Sequence, residues 1–211
     1  MDLYATKGAI NARLVPLVDR LAAAGVTPDQ ITLAAVPVAL IGSVCLLFSP
    51  QAPALLLAIP ALAGVRILLN LLDGNMARRT GKIHPRGELF NELGDRLADT
   101  AFLAPVAFLP GADARIVLLG VLAGVLASYT GITAKAAGAE RLYGGILSKP
   151  GRMALLVVFC IWAFIAGPAP EIWTFLPATH PTVWTWFGPI LLLGTTLTLL
   201  ERIVTAVRRL P

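Results

Sequence analysis

The chain reads as an all-α integral membrane protein, with six transmembrane helices behind an N-terminal amphipathic interfacial helix. Three observations lead there. Of its 211 residues, 57% are hydrophobic and only 14% charged, against about a quarter charged in an ordinary soluble domain. The mean hydropathy is +0.78. The apolar residues gather in runs, each close to the roughly 20 residues that carry a helix across a bilayer. About six such runs use up the chain, leaving no soluble domain of useful size.

Residues 1–26 form an amphipathic juxtamembrane helix. Ile10, Leu14, Leu17, Val18 and Leu21 recur at helical spacing, with Lys7, Arg13 and Arg20 among them. That pattern lays the helix on the membrane surface, its cations near anionic head groups. Pro16 is expected to bend or split it. The remainder, 27–211, is the six-helix domain. Thr27-Pro28-Asp29-Gln30 opens the first span, since a Thr or Asp cap with Pro in the first turn starts a helix. The spans are expected at 30–48, 53–78, 85–109, 113–137, 152–166 and 183–206. Between the last two, 167–182 is rich in Pro and Trp and reads as an interfacial loop. Trp173, Trp184 and Trp186 suit an aromatic belt there. Cys45 and Cys160 fall inside apolar runs and read as small core hydrophobes. Without a charged start followed at once by an apolar core, no removable signal peptide is expected.

The net charge is +5. Nucleic acid is not the partner this implies, because no basic stretch interleaved with aromatics is present. Of the 17 Lys and Arg residues, Arg66 and Arg96 lie within expected spans and only Arg115 falls on the far side. The rest collect on one face, which puts both termini in the cytoplasm of a multi-pass cell-membrane protein.

The chemistry lies between Asn70 and Asp99, NLLDGNMARRTGKIHPRGELFNELGDRLAD. A charged side chain deep in a bilayer costs about 2.5–3.5 kcal/mol on insertion scales, yet five acids gather here. At about 100° per residue, Glu88, Asn91, Glu92, Asp95 and Asp99 share one arc of the third span. Asn70 and Asp73, three apart, share a face of the second. Oxygen-bearing side chains on two facing helices suit a hard divalent cation, Mg²⁺ or Mn²⁺. With no thiolate or paired His nearby, zinc is not expected. Acids favouring a helix N-terminus account for Glu88 alone, not for Asp95 and Asp99 two or three turns in. His84 has no partner at ligand spacing and reads as a loop residue.

These residues resemble the CDP-alcohol phosphotransferase family, whose pattern is DxxDGxxAR, eight or nine residues, then GxxxDxxxD. Here Asp73-Gly74, Ala77-Arg78, an eight-residue gap, Gly87 and Asp95 hold that spacing, and Thr27-Pro28-Asp29-Gln30-Ile31-Thr32 resembles the family's approach to its first span. Asn70 and Asn91 stand where the family has Asp. Each exchange keeps an oxygen ligand and removes a negative charge, and Glu92 lies one position from Asn91 on the same arc. The resemblance implies that Asn70, Asp73, Asn91 and Asp95 surround the metal, and that Asp95 is the general base. It implies that Gly74, Ala77 and Gly87 make room for cytidine, with Arg78 on a phosphate.

Outside the motif, Lys149 and Arg152 at the start of the fifth span are candidates for a substrate phosphate, or alternatively topological anchors. Arg66, two turns before Asp73, is placed to balance the acids. Asp99 either extends the site or pairs with Arg96 or Arg66. Gly120, Gly124 and Ser128 recur every fourth residue, which favours close helix contact inside the bundle or in a homodimer. The function implied is transfer of a phosphoalcohol, phosphatidyl from CDP-diacylglycerol first, to an acceptor hydroxyl with release of CMP. Rival readings are transfer from a soluble CDP-alcohol to a lipid hydroxyl, a catalytically silent lipid- or nucleotide-binding protein, and a small transporter.

Overall fold

The computed structural model describes residues 3–81, 85–167 and 181–210, with side chains from Arg13 onward. Lys82, His84 and Trp173 lie outside them. The described helices are α1 (Leu3–Ala23), α2 (Pro28–Phe48), α3 (Ala58–Thr80), α4 (Pro85–Leu103), α5 (Ala114–Ala136), α6 (Lys149–Ala166) and α7 (Val183–Arg209). A short 3-10 helix, Pro53–Leu57, leads into α3, and another, Ala104–Phe108, continues α4. No strand occurs among the described residues.

Among the described residues, five helical stretches are long and apolar enough to cross a membrane: Pro28–Phe48, Pro53–Thr80, Ala114–Ala136, Lys149–Ala166 and Val183–Arg209. Each matches an expected span. The stretch expected at 85–109 forms a helix too, but Arg86, Glu88, Glu92, Asp95, Arg96 and Asp99 make it too polar to pass on composition. Pro16 does not split α1, which runs through it unbroken. Trp184 belongs to the sixth expected span. It stands inside α7, buried, with its ring edge-on to Phe187, whereas Trp186 is exposed.

The chain divides into two compact units, Met1–Leu40 with Leu62–Ala98, and Ile41–Ala61 with Asp99–Pro211. In the first, Val18 of α1, Ile31 of α2, and Leu72 and Met76 of α3 form a buried cluster, with Leu14, Leu21, Ala22 and Val26 against it. The apolar face of the N-terminal helix is therefore docked on protein along this stretch, and only Leu17 of its expected apolar residues there is exposed. Arg79 Nη2 donates to Asp19 Oδ2 at 2.9 Å, clipping α1 to the end of α3. The start of α2 is a reciprocal cap: Gln30 N donates to Thr27 Oγ1 at 3.3 Å, and Thr27 N donates to Gln30 Oε1 at 2.9 Å.

In the second unit α5 and α7 pack closely along small residues. A Cβ at Gly120 would meet Leu191 at 3.0 Å, and one at Gly124 would meet Arg152 at 3.2 Å and Thr195 at 3.4 Å. The stripe of small residues thus serves contact within the chain. Thr195 Oγ1 donates across to Gly120 O at 3.0 Å. Arg202, buried on α7, donates to Ala127 O, Tyr143 O and Gly144 O at 2.7–2.9 Å, pinning the 137–148 connection. Cys45 and Cys160 are free thiols.

Candidate functional site

The motif residues of α3 and α4, from Asn70 to Asp95, all belong to the first unit. Asp73 is 6% exposed. A carboxylate that deep needs donors, and Thr32 Oγ1 supplies one at 2.8 Å, with Pro28 O at 3.2 Å as the hydroxyl's alternative acceptor. The methyl of the same threonine lies 3.6 Å from where a Cβ of Gly94 would stand. Thr32 therefore touches α3 at Asp73 and α4 at the residue before Asp95. It is part of the quoted approach to the first span, and its role as the partner of Asp73 was not drawn from the sequence.

Asp95 is half-buried, and two cations face it. Arg66 Nη2 is 3.6 Å from Asp95 Oδ1 and donates to the Asp95 main-chain oxygen at 3.3 Å. Arg96 Nη2 is 3.8 Å from Asp95 Oδ2 and 3.5 Å from Glu92 Oε2. Asn70 and Asn91 are half-buried. The links through Thr32 and Arg66 bring the α3 and α4 motif segments together. Arg66 balances the acids as the sequence implied, with Asp95 as its partner.

Gly74 faces no neighbouring helix among the described residues. A Cβ there would meet only the guanidinium of Arg78, at 3.7 and 3.8 Å, so close helix packing does not explain this glycine. Arg78 is exposed and donates to Asn75 Oδ1 at 3.1 Å. Ala77 and Gly87 are half-buried beside it in sequence and at the start of α4.

Lys149 and Arg152 belong to the second unit. Lys149 is half-buried at the start of α6. Arg152 is not displayed for a ligand as folded: it is 2% exposed, donates to Asp99 Oδ2 at 2.9 Å and to Leu147 O at 3.3 Å. Asp99 thus pairs with Arg152, a partner the sequence reading did not name. Nothing local in the sequence links positions 53 residues apart; only the packing of α6 does.

Among the described residues no group of three or more His, Cys, Asp or Glu side chains forms a metal cluster. The oxygens at hand are the carboxylates of Asp73 and Asp95 and the amide oxygens of Asn70 and Asn91. That set, all hard oxygen and short of a full cage, fits a cation such as Mg²⁺ or Mn²⁺, which keeps sites for water and substrate phosphate.

No protein-family model matches the chain. It is 32% identical over 171 residues to the inner membrane protein YnbA of Escherichia coli (strain K12), covering 81% of this chain and 83% of that one. It is 29% identical over 139 residues to an archaetidylinositol phosphate synthase of Pyrococcus horikoshii, covering 65% and 71%. In fold it resembles the crystal structure of Mycobacterium tuberculosis phosphatidylinositol phosphate synthase (PgsA1) with CDP-DAG bound. The TM-score is 0.68 and the identity 22%, over 90% of this chain and 92% of that one. The same enzyme in complex with manganese and citrate aligns with a TM-score of 0.68 at 22% identity, covering 91% and 88%.

Proposed function

The chain belongs to the CDP-alcohol phosphotransferase family, and on that premise we propose that it is a phospholipid-biosynthetic phosphatidyltransferase. Its donor is CDP-diacylglycerol and its acceptor an alcohol from the cytoplasm; CMP is the leaving group. One observation carries the reading: the motif spacing from Asn70 to Asp95 falls on two helices that Thr32 and Arg66 hold together. The name of the Pyrococcus relative puts a phosphorylated polyol first among acceptors.

In this mechanism the acceptor oxygen attacks the phosphorus that bears the diacylglycerol. A new P–O bond forms, the bond to the CMP oxygen breaks, and Asp95 receives the hydroxyl proton. Asn70, Asp73, Asn91 and Asp95 would hold one Mg²⁺ or Mn²⁺. A divalent ion there supplies neutralisation of pyrophosphate charge and orientation of the displacement. Gly74, Ala77 and Gly87 leave room for cytidine, and Arg78 pairs with a phosphate oxygen, a role guanidinium geometry favours. Lys149 is a further phosphate contact. Arg152 has the structural task of holding Asp99.

The same reading makes α4, with its 3-10 continuation to Phe108, the sixth span, with Glu92, Asp95, Arg96 and Asp99 turned inward and Arg86 and Glu88 at its exposed start. The termini and the site face the cytoplasm, as the distribution of Lys and Arg supports. A homodimer belongs to the proposal too; it would use a surface other than the Gly120–Gly124 stripe.

The test is CMP release by the purified chain in detergent, from radiolabelled CDP-diacylglycerol with Mg²⁺ or Mn²⁺ and a panel of acceptors. Release with at least one acceptor is expected. Metal-dependent CDP binding without turnover on any of them would instead favour the silent binding protein.

A further inference from the structure

The acids of this site have cations set among them. Arg66 stands on α3 one turn before Asn70 and two before Asp73, so the three share a helix face. Its side chain is 3% exposed, and it grips Asp95 twice, at a carboxylate oxygen 3.6 Å away and at the main-chain oxygen at 3.3 Å. Arg96 approaches the other carboxylate oxygen at 3.8 Å, and its Nε is buried with no hydrogen-bond partner. Meanwhile Asn70 and Asn91 are neutral where carboxylates would strengthen cation binding. Glu92 and Asp95 therefore lie beside two guanidiniums, which, with Asn70 and Asn91 neutral, leaves little uncompensated negative charge to draw in divalent ions.

We propose that the fixed charge of Arg66 beside Asp95 limits the site to one divalent cation per chain. The proposal rests on the metal-dependent reading above. Arginine suits the task because the guanidinium never gives up its proton, and here its Nη2 lies near both a carboxylate oxygen and the main-chain oxygen of Asp95. A purely structural counter-ion would behave differently, since its loss would disorder Asp95 and weaken cation binding.

The experiment is titration of the purified full chain in detergent with Mn²⁺, following free ion by electron paramagnetic resonance. The wild type is expected to bind one Mn²⁺ per chain. Arg66→Gln and Arg66→Met should bind it roughly tenfold or more tightly, as expected when a positive charge close to the cation is removed. Arg66→Lys, keeping the charge, should bind as the wild type does. Two Mn²⁺ per wild-type chain, or weaker binding in the neutral variants, overturns the proposal. If neither neutral variant folds, the wild-type stoichiometry and the Arg66→Lys affinity decide it. No Mn²⁺ binding by the wild type sinks the metal reading and this inference with it, whereas the wrong stoichiometry or direction sinks the inference alone.

Discussion

Asp95 and Asp99 stand one turn apart on α4, and each meets an arginine, but in opposite ways. In the second unit Asp99 and Arg152 are 2.9 Å apart, with side chains 6% and 3% exposed. In the first, Asp95 keeps 15% of its side chain exposed and its arginines at 3.6 and 3.8 Å. The same contrast runs through the two units. Arg202 is committed to three carbonyls at 2.7–2.9 Å, while Arg96 leaves a buried Nε without a partner. Short, dry contacts fix a group to the protein and make it a brace. Longer contacts around an accessible carboxylate leave that group able to take a proton or a cation. Charge within a membrane-spanning fold thus serves either stability or chemistry, and the geometry of its partners tells which.

The sharpest test of this contrast is Asp95→Asn. CMP release should fall by about 10²–10⁴-fold, the range for losing a general base, with the melting temperature in detergent little changed. Full activity in that variant would break the comparison at its root. Asp99→Asn should do the reverse: it leaves Arg152 buried without its counter-charge, a loss of about 3–5 kcal/mol of stability, read as a lowered melting temperature. The double change Asp99→Leu with Arg152→Leu should recover much of it. Thr32→Val is expected to cost about 1.5–3 kcal/mol through the lost bond to the Asp73 carboxylate, with a drop in CMP release measured on the folded fraction. Arg79→Gln, at a half-exposed pair with Asp19, should change stability by less than about 1 kcal/mol and leave turnover alone.

The helical architecture and the candidate residues were legible because both are written in local pattern. Apolar runs give spans, and Asp73, Gly74, Ala77, Arg78, Gly87 and Asp95 stand at fixed separations along two helices. Even the placement of Arg66 among the acids follows from counting turns. What escaped was every pairing that depends on which helix lies beside which. Trp184 looked interfacial by its neighbours in sequence, yet packing turned it inward against Phe187. The spacing of Gly120 and Gly124 announced a close contact without saying with what; α7 and Arg152 fill that place.

From the sequence alone follow the membrane character, the helical elements and the candidate oxygens of the proposed site, since hydropathy and helical periodicity act over a few turns of one chain segment. Only the tertiary structure decided that Thr32 serves Asp73, that Arg66 faces Asp95, and that Arg152 belongs to Asp99. Those choices are made between helices, where burial makes an unpaired charge costly enough to select one partner among several that the sequence permits.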